Sequence, residues 1–289
     1  MTRRALLLLA GLLVACAGVL LPAPSWGAPT GVSSGTTAAT TSAAATRLNP
    51  TILVGTGGVT WSEVSARTTP ALWSLLREGA SAALSIHSVY LNTCPVDAWL
   101  GLSAGNRAAA PGPGQDGSRQ ASDGCPQIPT VDSGVVPGWG AYVRAAAATK
   151  FDSRLCTLGE TLASNGQCVQ AVGPGAGLGA AYLSGAVPRY AAYDATQLTD
   201  RLSRCRVTVV DVGSLRDPAD VAPAERARGL PSRDAQLKAI DTRIAQVLAS
   251  APSGSNVVVA SMADAGQTPQ LGLVAAKGPD FGSGTLGST

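Results

Sequence analysis

A few residues with hydroxyl, carboxyl and thiol groups are the candidates in this chain for catalysis or ligand binding. Thr93 and Cys94 precede Pro95 at the start of a predicted helix, Asp211 lies within the apolar run VTVVDV, and Asp264 follows the apolar run NVVVAS. The unpaired N–H groups at a helix start attract phosphate or sulfate. Carboxylates are ligands for hard divalent ions. The sequence therefore directs attention to the loops that bear these residues.

A buried first strand is predicted within residues 48–58, LNPTILVGTGG, and it breaks into a glycine-rich turn. The loop beyond such a strand is where α/β sheets place their sites. Loops after Gly55, Leu91, Val212 and Ala260 are expected to meet at one sheet edge. That arrangement would bring together Thr56, Gly57, Thr93, Cys94, Asp211 and Asp264.

Apolar periodicity and turn residues place further helices and strands in alternation. Helices are predicted between Thr69 and Gly79 and over 96–104, 139–149, 157–164, 197–204 and 232–250. Further strands are predicted over 82–90, 168–172, 207–212, 256–260 and 271–275, and 173–179 is predicted to be a glycine-rich loop. Alternation of this kind predicts an α/β fold with a mostly parallel, doubly wound sheet.

The N-terminus predicts export. Residues 1–28 combine a basic start, an apolar run and a small-residue cleavage zone, and are interpreted as a signal peptide. The run LVAC, ending at Cys16, matches a bacterial lipobox, so lipidation at Cys16 is one alternative. An uncleaved anchor is another, because the apolar stretch is close to spanning length. Residues 29–47 are interpreted as a mobile linker and 48–289 as the folded domain. The ending FGSGTLGST has no helix to cover the last strand, which suggests that the natural chain continues.

Composition excludes some partners and favours disulfides. A net charge of +3 with 13% charged residues and no basic cluster argues against nucleic acid, and leaves membrane contact to the N-terminal segment. Five of the six cysteines follow the signal peptide, enough for two disulfides and one thiol. Cys94 with Cys125, and Cys156 with Cys168, are the expected pairs. The single histidine, His87, and the absence of CxxC spacing argue against a cysteine-bound metal.

The order of these motifs resembles the alkaline phosphatase superfamily. ILVGTGGVTW looks like the family's opening strand and Asp-Gly-Leu-Arg loop, and TPALWSLLREGA like the helix usually written TPNLDRLAAEGA. Thr93-Cys94-Pro95 falls where the family has Thr-x-Pro or Cys-x-Pro, and NVVVASMADAG where a strand leads to Asp-His-Gly. The resemblance spans residues 48–276 and implies an alkaline-phosphatase-like fold.

The resemblance also implies roles for individual residues. Thr93 would be the nucleophile, and Asp211 and Asp264 would be metal ligands. The chain departs from the family pattern, because Gly57 replaces the first metal-binding Asp and Ala265 replaces the His of Asp-His-Gly. No histidine follows Asp211 either, and a sulfatase would need Cys at Thr93 and Arg at Asp97.

Structural roles remain open for the same residues. Thr93 could be a helix N-cap, Asp211 and Asp264 loop caps, Cys94 half of a disulfide, and His87 a packed or surface residue. The run VGPGAGLG at 172–179 does not have the GxGxxG spacing of a dinucleotide site.

Three functional hypotheses follow. The first is an exported envelope protein without catalysis, that is, a pseudoenzyme. It would bind an envelope protein or an anionic small ligand, and we expect it to have no cofactor. The second is a phosphate- or sulfate-ester hydrolase that uses Thr93 with one divalent ion on Asp211 and Asp264, where Mg²⁺, Mn²⁺ or Ca²⁺ would suit the oxygen ligands better than zinc. The third is a redox protein that uses Cys94.

Overall fold

One mixed β-sheet organises the computed structural model, which describes residues 49–114, 119, 123–221, 223–266 and 268–285. Its strands are β1 (Thr51–Gly57), β2 (Ala80–Leu84), β3 (Val169–Val172), β4 (Tyr190–Ala191), β5 (Val207–Ser214), β6 (Asn256–Ser261), β7 (Gly272–Lys277) and β8 (Gly284–Thr285). Across the sheet they lie in the order β4-β3-β5-β1-β6-β7-β2-β8. The five strands from β4 to β6 are parallel, which confirms the predicted α/β class and mostly parallel sheet.

Helices cover both faces of this sheet. They are α1 (Pro70–Glu78), α2 (Pro95–Ala104), α3 (Trp139–Ala147), α4 (Thr157–Ser164), α5 (Pro174–Ala180), α6 (Leu198–Leu202), α7 (Pro223–Arg228) and α8 (Arg233–Ser250). Two buried clusters of apolar side chains result: α1, α6 and α8 supply one, and α2 to α5 supply the other. Val210 and Val212 of β5 lie in the first cluster and Val209 in the second, as the two-residue period of a strand requires. The sheet is therefore doubly wound, as predicted.

Strand β7 differs from the expected parallel arrangement. It runs antiparallel to both of its neighbours, β6 and β2. Ten residues separate Ser261 from Gly272, fewer than a parallel crossover needs, so the chain must return antiparallel. Strand β2 is also shorter than predicted, because Leu84 pairs with Gly272, the first residue of β7, and the ladder ends there.

The glycine-rich stretch after β3 is a helix and not the predicted loop. Pro174 begins α5, and the next six residues, Gly175 to Ala180, are all buried. Glycine is a poor helix former, but here its missing side chain allows close packing. A Cβ added at Gly175 would lie 2.1 Å from Nε1 of Trp99, which packs from α2. Tertiary packing has overridden local propensity.

One of the two expected disulfides is confirmed and the other is wrong. Cys94 bonds to Cys125 as predicted, whereas Cys168 bonds to Cys205 rather than to Cys156. Cys168 immediately precedes β3 and Cys205 lies two residues before β5, and these strands are neighbours in register from Val169 and Val207. Cys156 is a buried free thiol before α4, and its burial raises the pKa of that thiol.

Residues 1–48 lie outside the described residues, and with them the predicted signal peptide, Cys16 and the linker. The chain ending after Thr285 lies outside as well. No helix in the part of the chain that the structure describes is both long and apolar enough to cross a membrane.

A buried carboxylate fixes the position of α1 against α8. Asp241 of α8 accepts the backbone N–H groups of Ala71 at 3.0 Å and Leu72 at 2.9 Å. These are the first-turn donors of α1, which have no partner within their own helix. Its burial raises the pKa of the Asp241 carboxyl, and the two N–H groups oppose that shift.

Replacing Asp241 with alanine is expected to lower the free energy of unfolding by about 2–3 kcal/mol, because two buried N–H groups lose their acceptor. Urea denaturation monitored by circular dichroism measures this loss. Lys238→Ala, an exposed change on the same helix, should stay within about 0.5 kcal/mol. Equal stability of Asp241→Ala and the parent would contradict this role for the carboxylate.

The two disulfides are expected to contribute comparably to stability. Their sequence separations are 31 and 37 residues, and loop-closure entropy predicts about 3–4 kcal/mol for loops of this length. Replacing either pair with serines should lower the unfolding free energy by that amount in denaturant titrations. Replacing Cys156 with alanine is the matched control, since that thiol closes no loop, and it should cost less than either pair.

Candidate functional site

The carboxyl ends of β1, β5 and β6 meet at one edge of the sheet and bring Thr93 next to Asp264. Oδ2 of Asp264 accepts the N–H of Thr93 at 2.8 Å, and the N–H of Asp264 donates to the carbonyl of Thr93 at 2.9 Å. Oδ1 of Asp264 accepts the N–H of Gln270 at 3.1 Å. Asp264 therefore holds the start of α2 against the loop between β6 and β7.

Asp211 holds a different pair of segments. Its Oδ2 accepts the N–H of Gly175 at 2.8 Å, and its Oδ1 accepts the N–H of Gly213 at 2.8 Å. Gly175 lies in the first turn of α5, so Asp211 caps that helix from the neighbouring strand. Burial raises the pKa of the Asp211 carboxyl, while the two N–H groups and Arg243 oppose the shift.

The Thr93 hydroxyl has no hydrogen-bond partner among the described residues, although Thr93 is only 2% exposed. The N-cap of α2 is Cys94, so the alternative prediction of Thr93 as N-cap is wrong. Cys94 itself is held in the disulfide with Cys125. Thr93 thus combines a buried, unpaired hydroxyl with a backbone N–H and a backbone carbonyl that both bond to Asp264.

Thr56 and Gly57 complete the predicted set but present no metal ligand. The hydroxyl of Thr56 donates to the carbonyl of Gly213 at 2.7 Å. A Cβ added at Gly57 would lie 2.7 Å from the Cβ of Ala263 and 2.9 Å from Oγ of Ser214. Position 57, where the superfamily pattern has its first metal-binding Asp, has no room for a side chain.

The donor set at this edge does not fit a two-metal centre. Each oxygen of Asp211 and Asp264 accepts one backbone N–H group, and a two-metal centre needs several more carboxylate or imidazole ligands than these two side chains supply. Within the described ranges, no three His, Cys, Asp or Glu residues are arranged to hold a metal ion. His87 is exposed, with Nε2 2.9 Å from Oγ of Ser85.

Sequence reasoning missed a buried ion pair beside Cys94. Asp97 accepts the N–H groups of Cys94 at 3.3 Å and Ala110 at 2.8 Å, and it pairs with Arg119. The Arg119 guanidinium lies 4.1 Å from the ring centroid of Tyr90. Burial raises the pKa of the Asp97 carboxyl, with Arg119 opposing. The sequence does contain a signal for this contact, because Asp97 lies three positions after the N-cap Cys94, the spacing of a capping box.

A small cavity opens beside Asp211. It encloses about 190 Å³ between residues 125–128, which the Cys94–Cys125 disulfide ties to α2, and the loop after β5. Asp220 of that loop also lines the cavity and was missed from sequence. Burial raises the pKa of the Asp220 carboxyl, and the nearby charges of Asp217 and Asp264 raise it further.

No protein-family model matches the chain, and no curated protein does either. Similar solved structures include a protein of the alkaline phosphatase superfamily from Vibrio parahaemolyticus, with 11% identity and a TM-score of 0.48 over 82% of this chain and 62% of that one. Murine ectonucleotide pyrophosphatase/phosphodiesterase 5 is similar with 10% identity and a TM-score of 0.41 over 74% and 57%. Cofactor-independent phosphoglycerate mutase from Thermoplasma acidophilum is similar with 11% identity and a TM-score of 0.34 over 81% and 91%.

These structures are members of the superfamily that the order of sequence motifs resembles. The chain spans about six tenths of the length of the first two. Similarities of this size carry no argument about activity or substrate. The α/β class rests on the strand order of the chain itself.

The contacts of Asp264 predict that this carboxylate stabilises the fold, whereas the Thr93 hydroxyl does not. Asp264→Ala should lower the free energy of unfolding by about 2–3 kcal/mol, because the N–H groups of Thr93 and Gln270 lose their acceptor. Thr93→Val should leave stability unchanged or raise it by up to about 1 kcal/mol, because it removes a buried hydroxyl without a partner. Denaturant titration of both variants beside the parent checks the pair. A loss above 1 kcal/mol in Thr93→Val would refute the unpaired state of the hydroxyl.

Proposed function

We propose that the chain is a ligand-binding protein of the cell envelope, in which an alkaline-phosphatase-like sheet edge binds without turnover. The observation that carries this proposal is that the oxygens of Asp211 and Asp264 each accept a backbone N–H group at 2.8–3.1 Å, while the described residues contain no group of three His, Cys, Asp or Glu that could hold a metal ion. Carboxylates held in this way stabilise loops. The tight packing around Gly57 supports the same conclusion, because position 57 cannot supply a third carboxylate beside Asp211 and Asp264.

Export to the envelope is part of this proposal. Two disulfides are compatible with an oxidising compartment, where such bonds form and persist. The basic and apolar N-terminal residues provide the proposed export signal. The sequence left the partner open between an envelope protein and an anionic small ligand. The cavity beside Asp211 favours a small molecule.

A second candidate function is ester hydrolysis with Thr93 as the nucleophile. One observation favours it: the Thr93 hydroxyl is buried without a described partner, directly beside Asp264 and at the start of α2. A threonine hydroxyl is a weak nucleophile and needs a base or a metal ion to activate it. Among the described residues, Asp264 belongs to no group of three His, Cys, Asp or Glu side chains that could hold that ion, which weighs against this alternative.

Metal content and turnover distinguish the two candidates. We expect the purified full-length chain, after dialysis against Mg²⁺, Mn²⁺, Ca²⁺ and Zn²⁺ in turn, to retain less than one metal ion per chain. We expect the rates with aryl phosphate, phosphodiester and aryl sulfate substrates to equal those of Thr93→Ala, because the donor set does not hold an activating ion. Elemental analysis and initial-rate assays on the same samples provide the measurement.

Thr93→Ser is the matched control for this assay, because it keeps the hydroxyl. Stoichiometric metal together with hydrolysis that survives in Thr93→Ser and disappears in Thr93→Ala would refute the binding proposal and establish the hydrolase. Hydrolysis that persists in Thr93→Ala would point to a contaminating enzyme and would leave Thr93 without a catalytic role.

A further inference from the structure

The cavity beside Asp211 has mainly apolar walls that come from three segments of the chain: the start of α2, residues 125–128, and the end of β5 with the loop after it. Pro95, Pro126 and Ile128 line one side, and Leu215 and Val221 line the other. Its volume of about 190 Å³ has room for about six water molecules at ~30 Å³ each. A ligand of this size has only a few non-hydrogen atoms, part of which must be apolar to match the walls.

The two walls are held together in a defined way. The Cys94–Cys125 disulfide ties residue 125 to the start of α2. The N–H of Cys125 donates to the carbonyl of Asp220 at 2.8 Å, and Nε2 of Gln127 donates to Glu225 at 3.1 Å. The cavity is therefore a built feature of the fold: the disulfide fixes the side that carries Pro95, Pro126 and Ile128, and hydrogen bonds join residues 125–127 to the other side and to α7.

Negative side chains outnumber positive ones in the lining of the cavity. Two carboxylates, Asp211 and Asp220, and one guanidinium, Arg216, line the cavity. Arg216 is already paired with Glu225, and Arg243, which acts on Asp211 from outside the lining, is the other cation that bears on these two aspartates. The oxygens of Asp211 accept one N–H each, and Oδ2 of Asp220 accepts the N–H of Gly266 at 2.6 Å. Each carboxylate oxygen has two lone-pair sites, so acceptor capacity remains.

This combination selects one class of ligand. An anion would meet two carboxylates, and a bare metal ion would meet proline and aliphatic walls instead of a full set of oxygen ligands. A primary ammonium group carries three N–H donors and a positive charge, and its alkyl part can pack on the apolar walls. A cation in the cavity would also offset the cost of burying the charge of each carboxylate.

We propose that the cavity between residues 125–128 and the loop after β5 binds a small primary ammonium compound. Its N–H groups are placed at Asp211 and Asp220, and its alkyl part against Pro126 and Ile128. This inference rests on the proposed binding function and names the ligand class of that site, with a charge opposite to the anion considered from sequence.

The test uses n-butylammonium, with n-butanol as the uncharged analogue and butyrate as the anion. The purified full-length chain is titrated with each compound by isothermal calorimetry and by ligand-observed NMR. We expect saturable binding of butylammonium at one site, binding of butanol at least tenfold weaker, and no binding of butyrate. Equal affinity for butanol, or binding of butyrate in place of butylammonium, would overturn the inference.

Variants place the binding in the cavity. Asp220→Asn should weaken butylammonium binding at least tenfold, and Ile128→Trp should abolish it by filling the space. Asp234→Asn, the same chemical change at an exposed position in the first turn of α8, should leave the affinity unchanged. Asp211→Asn is a poorer probe, because Asp211 also caps α5. Thermal unfolding of each variant confirms that it is folded, and unchanged affinity in Ile128→Trp would locate the binding elsewhere and refute the inference.

The outcomes also separate this inference from the function on which it rests. Absence of butylammonium binding in a chain that shows neither metal nor turnover would refute the ammonium site and leave the binding proposal in place. Metal-dependent hydrolysis that requires the Thr93 hydroxyl would refute the binding proposal, whatever the result with butylammonium.

Discussion

The loops of this protein depend on a repeated interaction in which a buried aspartate accepts two backbone N–H groups. Asp97, Asp211, Asp241 and Asp264 each do so, and each is at most 6% exposed. Three of them join segments far apart in sequence: Asp211 reaches α5, Asp241 reaches α1, and Asp264 reaches the start of α2. Charged acceptors make strong hydrogen bonds, and a buried N–H that loses its acceptor is costly. The arrangement of the carboxyl edge follows from these contacts.

This interaction explains how the candidate site is assembled, and the same residues offer few ligands to a metal ion. A metal centre needs several ligand side chains that point into a common space, and the described residues contain no group of three His, Cys, Asp or Glu arranged in that way. At this edge Asp264 accepts the N–H groups of Thr93 and Gln270, and Asp211 accepts those of Gly175 and Gly213. The oxygens serve to join loops, and the space beside Asp211 is bounded mainly by proline and aliphatic side chains. Recognition of a small molecule is compatible with such a site, because it requires shape and a few polar contacts.

The sequence was informative where periodicity and capping act locally. Apolar runs located β1, β3, β5 and β6, and Thr69 with Pro70 located the start of α1, where Thr69 is the N-cap. Parallel strands place their ends at one edge, so the meeting of Thr93 with Asp264 could be anticipated. Propensity failed at α5, where the packing of Trp99 against Gly175 outweighs the low helix propensity of glycine. The pairing of Cys168 with Cys205 depended on β3 lying beside β5, which is a property of the strand order and is invisible in local pattern.

The packing around Gly57 has a consequence for how this chain can change in evolution. An aspartate introduced there would meet Ala263 on one side and Ser214 on the other, both nearer than a Cβ tolerates. Ala263 lies in the loop that Asp264 ties to Thr93, and Ser214 pairs with Gly57 across the sheet. An acidic side chain at position 57 therefore requires the loop that carries Ala263 to shift and the Ser214 side chain at the end of β5 to rotate away. Position 57 is therefore restricted to glycine unless the loop that carries Ala263 moves, which limits the sequences that this chain can reach by single substitutions.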